Sequence, residues 1–139
     1  MEGDVEDEQD AVARANQAFY AAFEARDLDT MAELWERSER ATVTHPGWST
    51  LRGWAKVLTS WEAIFRATPY IQFFLTEQRV DVAGDTAWVT LNENILQGTG
   101  EGESTLYDAT VAAVNVFVRG DGGWRMVVHH GSPVSRPDE

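Results

Sequence analysis

The stretch Thr86-Ala-Trp-Val-Thr-Leu-Asn-Glu-Asn-Ile-Leu-Gln97 alternates with a period of two. Ala87, Val89, Leu91, Glu93 and Ile95 fall on one face; Trp88, Thr90, Asn92 and Asn94 fall on the other. Successive side chains of a strand point to opposite sides, so this is a strand with one face on a core. The Ala83-Gly84-Asp85 turn joins it to an upstream strand over Tyr70–Val82. Downstream, Gly98–Ser104 reads as a glycine-rich hairpin loop leading into Thr105–Arg119. The turn Gly120-Asp121-Gly122-Gly123 then returns the chain through Trp124–Ser132. Long strands joined in a meander make a strongly twisted antiparallel sheet.

Upstream of Pro69 the period changes. Val12, Ala15, Phe19 and Ala22/Phe23 recur at helical spacing between about Asp10 and Arg26. Asp27 is placed to cap a second helix, with Asp29 in its first turn and Met31, Leu34 and Trp35 on its buried side. Ala41–His45 is a short strand stopped by Pro46-Gly47. Gly53–Ala67 is helical again, with rows Trp54, Leu58, Trp61, Phe65 and Val57, Trp61, Ile64, and closes at Thr68-Pro69. Helices first and strands after give an α+β fold, three N-terminal helices packed on one face of a curved antiparallel sheet. Within Thr110–Val118 the row Ala112, Val114, Val116, Val118 and the row Val111, Ala113, Asn115, Phe117 are both mainly apolar. Helices cover only one of them, so a second copy of the sheet is expected over the other, making a homodimer. Trp88 belongs to that expected interface if it lies outside.

The 139 residues suit one domain over 1–139. Six carboxylates and no base occupy the first ten residues, an acidic extension read as a solvated tail entering the first helix; without it the net charge changes from −12 to −6. Pro133 to Glu139 reads as a frayed end. With no cysteine, a disulfide scaffold, a thiolate zinc site and a cysteine nucleophile are excluded. Eleven bases against 23 acids leave no basic face for nucleic acid. No apolar run approaches a membrane span and no signal-peptide pattern opens the chain, so a cytoplasmic protein with no membrane partner is expected.

A carboxylate on an apolar strand face, Glu93, is the foremost catalytic candidate, because burial raises its pKa towards the range of a general acid or base. Asn115 sits between Ala113 and Phe117 and must be hydrogen-bonded, to the protein or to a ligand. His129 and His130 face opposite ways; alternation from Trp124, Met126 and Val128 puts His130 inside, with Ser132 behind it, and His129 outside. Glu93 and His130 form the expected catalytic pair. His45, Trp48, Trp61, Asn115, Ser132 and Tyr20 are the expected ligand-binding residues, although Trp61 and Phe65 read first as packing of the third helix on the sheet. No metal or cofactor is expected: zinc-type spacing is absent, and Gly98-x-Gly100-x-Gly102 opens no helix to hold a dinucleotide. No serine sits in G-x-S-x-G.

The segments ANQAFYAAFEARDLDTMAELW, VTHPGWSTLRGWAKVLTSWEAIF, GDTAWVTLNENIL, VNVF and GGWRMVVHHGSP resemble, in order and spacing, the SnoaL-like branch of the nuclear-transport-factor-2-like superfamily. They span about Asn16 to Pro133. The resemblance implies a cone-shaped α+β barrel, usually dimeric through the outer face of the sheet, enclosing a cavity. Relatives include isomerases, dehydratases, cyclases and an epoxide hydrolase, beside kinase association domains and members of no known reaction. The tyrosine-and-two-aspartate set of the isomerases and the Asp-Arg-Asp set of the epoxide hydrolase are not matched here, and the HHGS ending resembles the non-enzymatic and uncharacterised members. Two functions follow: a dimeric domain that binds a small, largely apolar or aromatic molecule, with proton-transfer chemistry, or a non-catalytic dimerisation or ligand-sensing module.

Overall fold

The computed structural model describes residues 2–98 and 106–135, leaving most of the Gly98–Ser104 loop and the last four residues outside the described part. Three helices, α1 (Glu2–Ala25), α2 (Leu28–Glu33) and α3 (Trp54–Ala67), pack on a six-stranded sheet. Its strands are β1 (Thr42–Thr44), β2 (Leu51–Arg52), β3 (Tyr70–Ala83), β4 (Thr86–Gly98), β5 (Leu106–Gly120) and β6 (Gly123–Pro133), in the spatial order β2-β1-β6-β5-β4-β3. The four long strands form the expected antiparallel meander. Two features go beyond it: β1 runs parallel to β6, and the two-residue β2 extends the edge.

The acidic N-terminal run does not form a tail before the helix. Its backbone is already the start of α1. Asp27 caps α2 as expected, accepting from Thr30 N–H at 3.1 Å. Alternation along β4 holds: Ala87, Val89, Leu91 and Glu93 are buried. On β5 the buried row is Val111, Ala113, Asn115 and Phe117, leaving Ala112 and Val114 exposed on the outer face.

Two β-bulges reset the inward phase of neighbouring strands. In β3 a register shift between Thr76 and Arg79, with Glu77 at φ +56°, turns the inner row from Ile71, Phe73 and Leu75 to Val80 and Val82. In β6, Val128 stands opposite Val116 but Met126 opposite Phe117, so one residue is extra. The segment following α2 causes this. Met126 donates to Leu34 O and its carbonyl accepts from Glu36 N–H, both at 2.9 Å, and that holds Met126 against α2 while β1 takes Val128 to His130.

Between helices and sheet lies an aromatic core. Phe19, Tyr20 and Phe23 on α1 meet Trp61 on α3 and Phe73 on β3 at ring separations of 4.7–5.5 Å, all edge-to-face. Glu24 on α1 accepts from Phe73 N–H at 2.8 Å, which satisfies one backbone donor on the free edge of β3.

Candidate functional site

Above Glu93 the helices leave a cavity of about 330 Å³. Phe23 and Ile64 from α1 and α3, His45, Pro46 and Trp48 from the loop after β1, and Ile71, Glu93, Ile95, Val111 and His129 from the sheet line it, with Thr68, Gln97, Ala109, Thr110 and Pro133 at the remaining wall. Glycine is required at 131, where a Cβ would come within 2.9 Å of Val111 Cγ1 and 3.2 Å of Pro46 Cγ.

A continuous hydrogen-bonded chain runs behind this wall. The Tyr20 hydroxyl donates to Glu93 Oε2 at 2.5 Å. With its only proton committed, Tyr20 accepts from Asn115 Nδ2 at 3.1 Å, and the same amide donates to Asn16 Oδ1 at 2.8 Å. Asn115 therefore turns its oxygen to His129, whose Nδ1–H donates to it at 2.6 Å. The orientation of Asn115 thus sets the tautomer of His129: protonated at Nδ1, with a bare lone pair at Nε2. Across the cavity the Ser60 hydroxyl donates to Val57 O at 2.7 Å, so His45 Nε2–H must donate to Ser60 Oγ, 2.9 Å away, leaving His45 Nδ1 as a lone pair.

Burial decides the charge states. Glu93 is raised from 4.5 to about 7 by desolvation, opposed by the Tyr20 hydrogen bond. His45 is lowered to about 4 by desolvation, and His129 to about 3 by desolvation first, then by His45 and His130. Tyr20 is raised well above its usual value by burial and by Glu93. At neutral pH both histidines are uncharged, and Glu93 is poised between its two forms. Since Oε2 is taken by Tyr20, the proton that Glu93 gains or loses belongs to Oε1.

Several sequence expectations are corrected by these positions. His129, not His130, lies inside: His129 is 2% exposed, whereas His130 lies on the outer face with Ser132. The β6 bulge at Val127 inverts the alternation beyond Met126, so His129 takes the inward place that unbroken alternation gives to His130. Glu93 and His130 accordingly share no space, and His45, His130 and Glu93 are not gathered on one side. Trp61, fully buried, belongs to the core rather than to the cavity wall. Tyr20 and Asn115 stand behind the wall, holding Glu93 and His129 instead of lining it. His45, Trp48 and Glu93 do line it. Asn16, one helical turn before Tyr20, was missed; its signal was a lone amide on the apolar face of α1.

The SnoaL-like domain family matches residues 12–136. A Streptomyces avermitilis protein, named a candidate dehydratase of the NTF2-like family, superposes with a TM-score of 0.90 at 40% identity, covering 94% of this chain and 99% of that one. A candidate calcium/calmodulin-dependent protein kinase type II association domain from Thiobacillus denitrificans superposes at 0.75 with 34% identity, over 87% and 93% of the two chains. The F-box protein SKIP8 of Arabidopsis thaliana is 28% identical over 129 residues, 93% of this chain, which spans about half (52%) of that protein. The helices-then-meander order, the curved open sheet and the matched span together make this chain a member of the SnoaL-like family within the NTF2-like superfamily.

Proposed function

We propose that the cavity binds a small, largely apolar or aromatic molecule carrying a carbonyl or hydroxyl group, and that Glu93 moves a proton on it in dehydratase- or isomerase-type chemistry. The observation that carries this is the position of Glu93: a carboxyl at about 7, in an apolar hollow, with one oxygen held by Tyr20. The likeness to the Streptomyces avermitilis protein supports the same chemistry. At about 330 Å³ the hollow holds roughly ten water volumes, enough for a molecule of one or two rings. In a dehydration, ionised Oε1 takes a proton from the carbon beside the carbonyl. The electron pair forms the carbon–carbon double bond, the β-hydroxyl leaves, and Glu93 returns the proton to it as water. The hydroxyl has one proton to donate, and either the Nε2 lone pair of His129 or Nδ1 of His45 accepts it, while Gln97 and Thr68 supply donors to the carbonyl.

A panel of aromatic ketones and benzylic β-hydroxy ketones tests this by calorimetric titration and by ultraviolet absorption of the enone product. Ala109→Trp, a substitution at an exposed position in the wall, is expected to abolish binding while leaving the melting temperature unchanged. Binding that survives this change places the ligand elsewhere. The second reading, a ligand-sensing module without turnover, draws on the internal network in which Asn115 bonds Asn16, Tyr20 and His129 and Tyr20 bonds on to Glu93. It is chosen if ligands bind and no enone forms.

The functional unit we propose is a homodimer formed through the outer face of the sheet. Val114 (38% exposed) and Ala112 stand there side by side on β5, and Phe74 (53% exposed) stands on the same face of β3, across Asn92 and Asn94 of β4. Val114→Glu is expected to convert a dimer into a monomer in sedimentation at micromolar concentration. A wild-type monomer under those conditions overturns it.

A further inference from the structure

A second hollow, of about 380 Å³, lies beside α3 and shares Trp48 with the cavity above Glu93. Trp48 forms part of both walls. It is held there by the Pro46-Gly47 turn, with Gly47 at φ +85° and Trp48 N–H bonded to His45 O at 2.8 Å. Its indole packs edge-on against His45, ring centres 4.9 Å apart, and is 44% exposed. Leu51, Ala55 and Ala63 make the groove apolar. Ser60, at its floor, offers no free proton, because its hydroxyl is spent on Val57 O and its lone pair on His45.

The charged group at the groove's edge is Lys56, the only lysine in a chain of net charge −12; the Thr59 hydroxyl beside it donates to Ala55 O at 2.9 Å. Lys56 makes no ion pair among the described residues. It lies in the first turn of α3, a 14-residue helix whose N-cap is Gly53, with no side-chain cap and no acid in that turn. The Gly53 and Trp54 N–H groups at the start of α3 are already bonded to Ala41 O and Ser38 O, at 2.8 and 3.1 Å, so the group this edge offers an anion is the Lys56 ammonium. An ammonium unpaired among the described residues and an apolar groove that shares a wall with a ligand cavity point to the same kind of occupant.

We infer that the ligand is elongated. Its ring or carbonyl end enters the cavity above Glu93, an alkyl chain crosses the face of Trp48, and a carboxylate end meets Lys56 at the start of α3. This rests on the binding reading above and adds the substrate class: an aryl-alkanoic acid rather than a neutral ketone.

Phenylalkanoic acids of increasing chain length and their methyl esters separate the two ideas when titrated calorimetrically against wild type and Lys56→Gln. One intermediate chain length should bind about three- to fivefold tighter as the acid than as the ester, an advantage that shrinks with added salt. Lys56→Gln should remove that advantage and leave ester affinity unchanged. Equal affinities of acid and ester, or an advantage that persists in Lys56→Gln, overturn the inference. Ester binding that remains sensitive to Ala109→Trp would then keep the cavity reading intact, whereas failure of acids and esters alike defeats both. Because Lys56 is exposed, an unchanged melting temperature is expected for the variant.

Discussion

Truncating Trp61 to alanine is expected to cost about 3–5 kcal/mol of folding stability, read as a fall in the denaturant midpoint at unchanged slope. The indole is completely buried and stands where α1, α3 and the sheet meet. Phe19 and Phe23 approach from α1 at 5.5 and 5.0 Å, Trp35 lies at 6.4 Å, and His45 and His129 lie at 4.8 and 5.8 Å. Removing it leaves a void that neither helix nor sheet can close alone, and it removes the packing that orients both cavity histidines. Trp61→Phe should cost far less, about 1 kcal/mol. Its indole N–H finds no acceptor among the described residues, so phenylalanine deletes a buried donor along with some volume. A loss below about 1 kcal/mol for Trp61→Ala would mean that the ring is cavity wall rather than core.

The fate of each candidate residue shows which physical signals act locally. Strand phase is a local property wherever pairing is regular, so β4 could be read directly and Glu93 fell where alternation puts it. The same rule failed on β6 because the cause lies elsewhere in the chain. Leu34 and Glu36, some ninety residues upstream, bind both backbone groups of Met126, and the extra residue at Val127 moves His129 inward. Nothing in Trp124–Ser132 encodes that contact. Much the same holds for β2, whose two residues carry no periodicity and are ordered by pairing with β1. Asn16 and Asn115 were visible as amides on apolar faces, yet only the fold brings two residues 99 positions apart within 2.8 Å. Family resemblance carried the architecture, and the chemistry of the site depended on long-range contacts that the architecture alone creates.

Glu93→Gln should act on catalysis and on stability in opposite directions. It keeps the shape and still accepts from Tyr20, but it has no proton to exchange, so turnover of a productive substrate should fall by about 10²–10⁴ with ligand affinity largely retained. The stability effect follows from the raised pKa. A carboxyl at about 7 when folded and 4.5 when unfolded binds its proton more tightly in the native state, so wild type loses stability as pH rises between those values. Well above pH 7 the buried charge costs about 3 kcal/mol, which glutamine avoids. His45 and His129 act in the reverse sense: their folded values of about 4 and 3 lie below 6.5, so acidification through 6.5 destabilises. Wild type is therefore expected to be most stable near neutrality, where the two trends cross. Glu93→Gln should match it at about pH 5 and exceed it at about pH 8, measured by urea denaturation at each pH. Equal stabilities at both pH values would show that Glu93 carries no buried charge, and with it would go the reason for assigning it the proton.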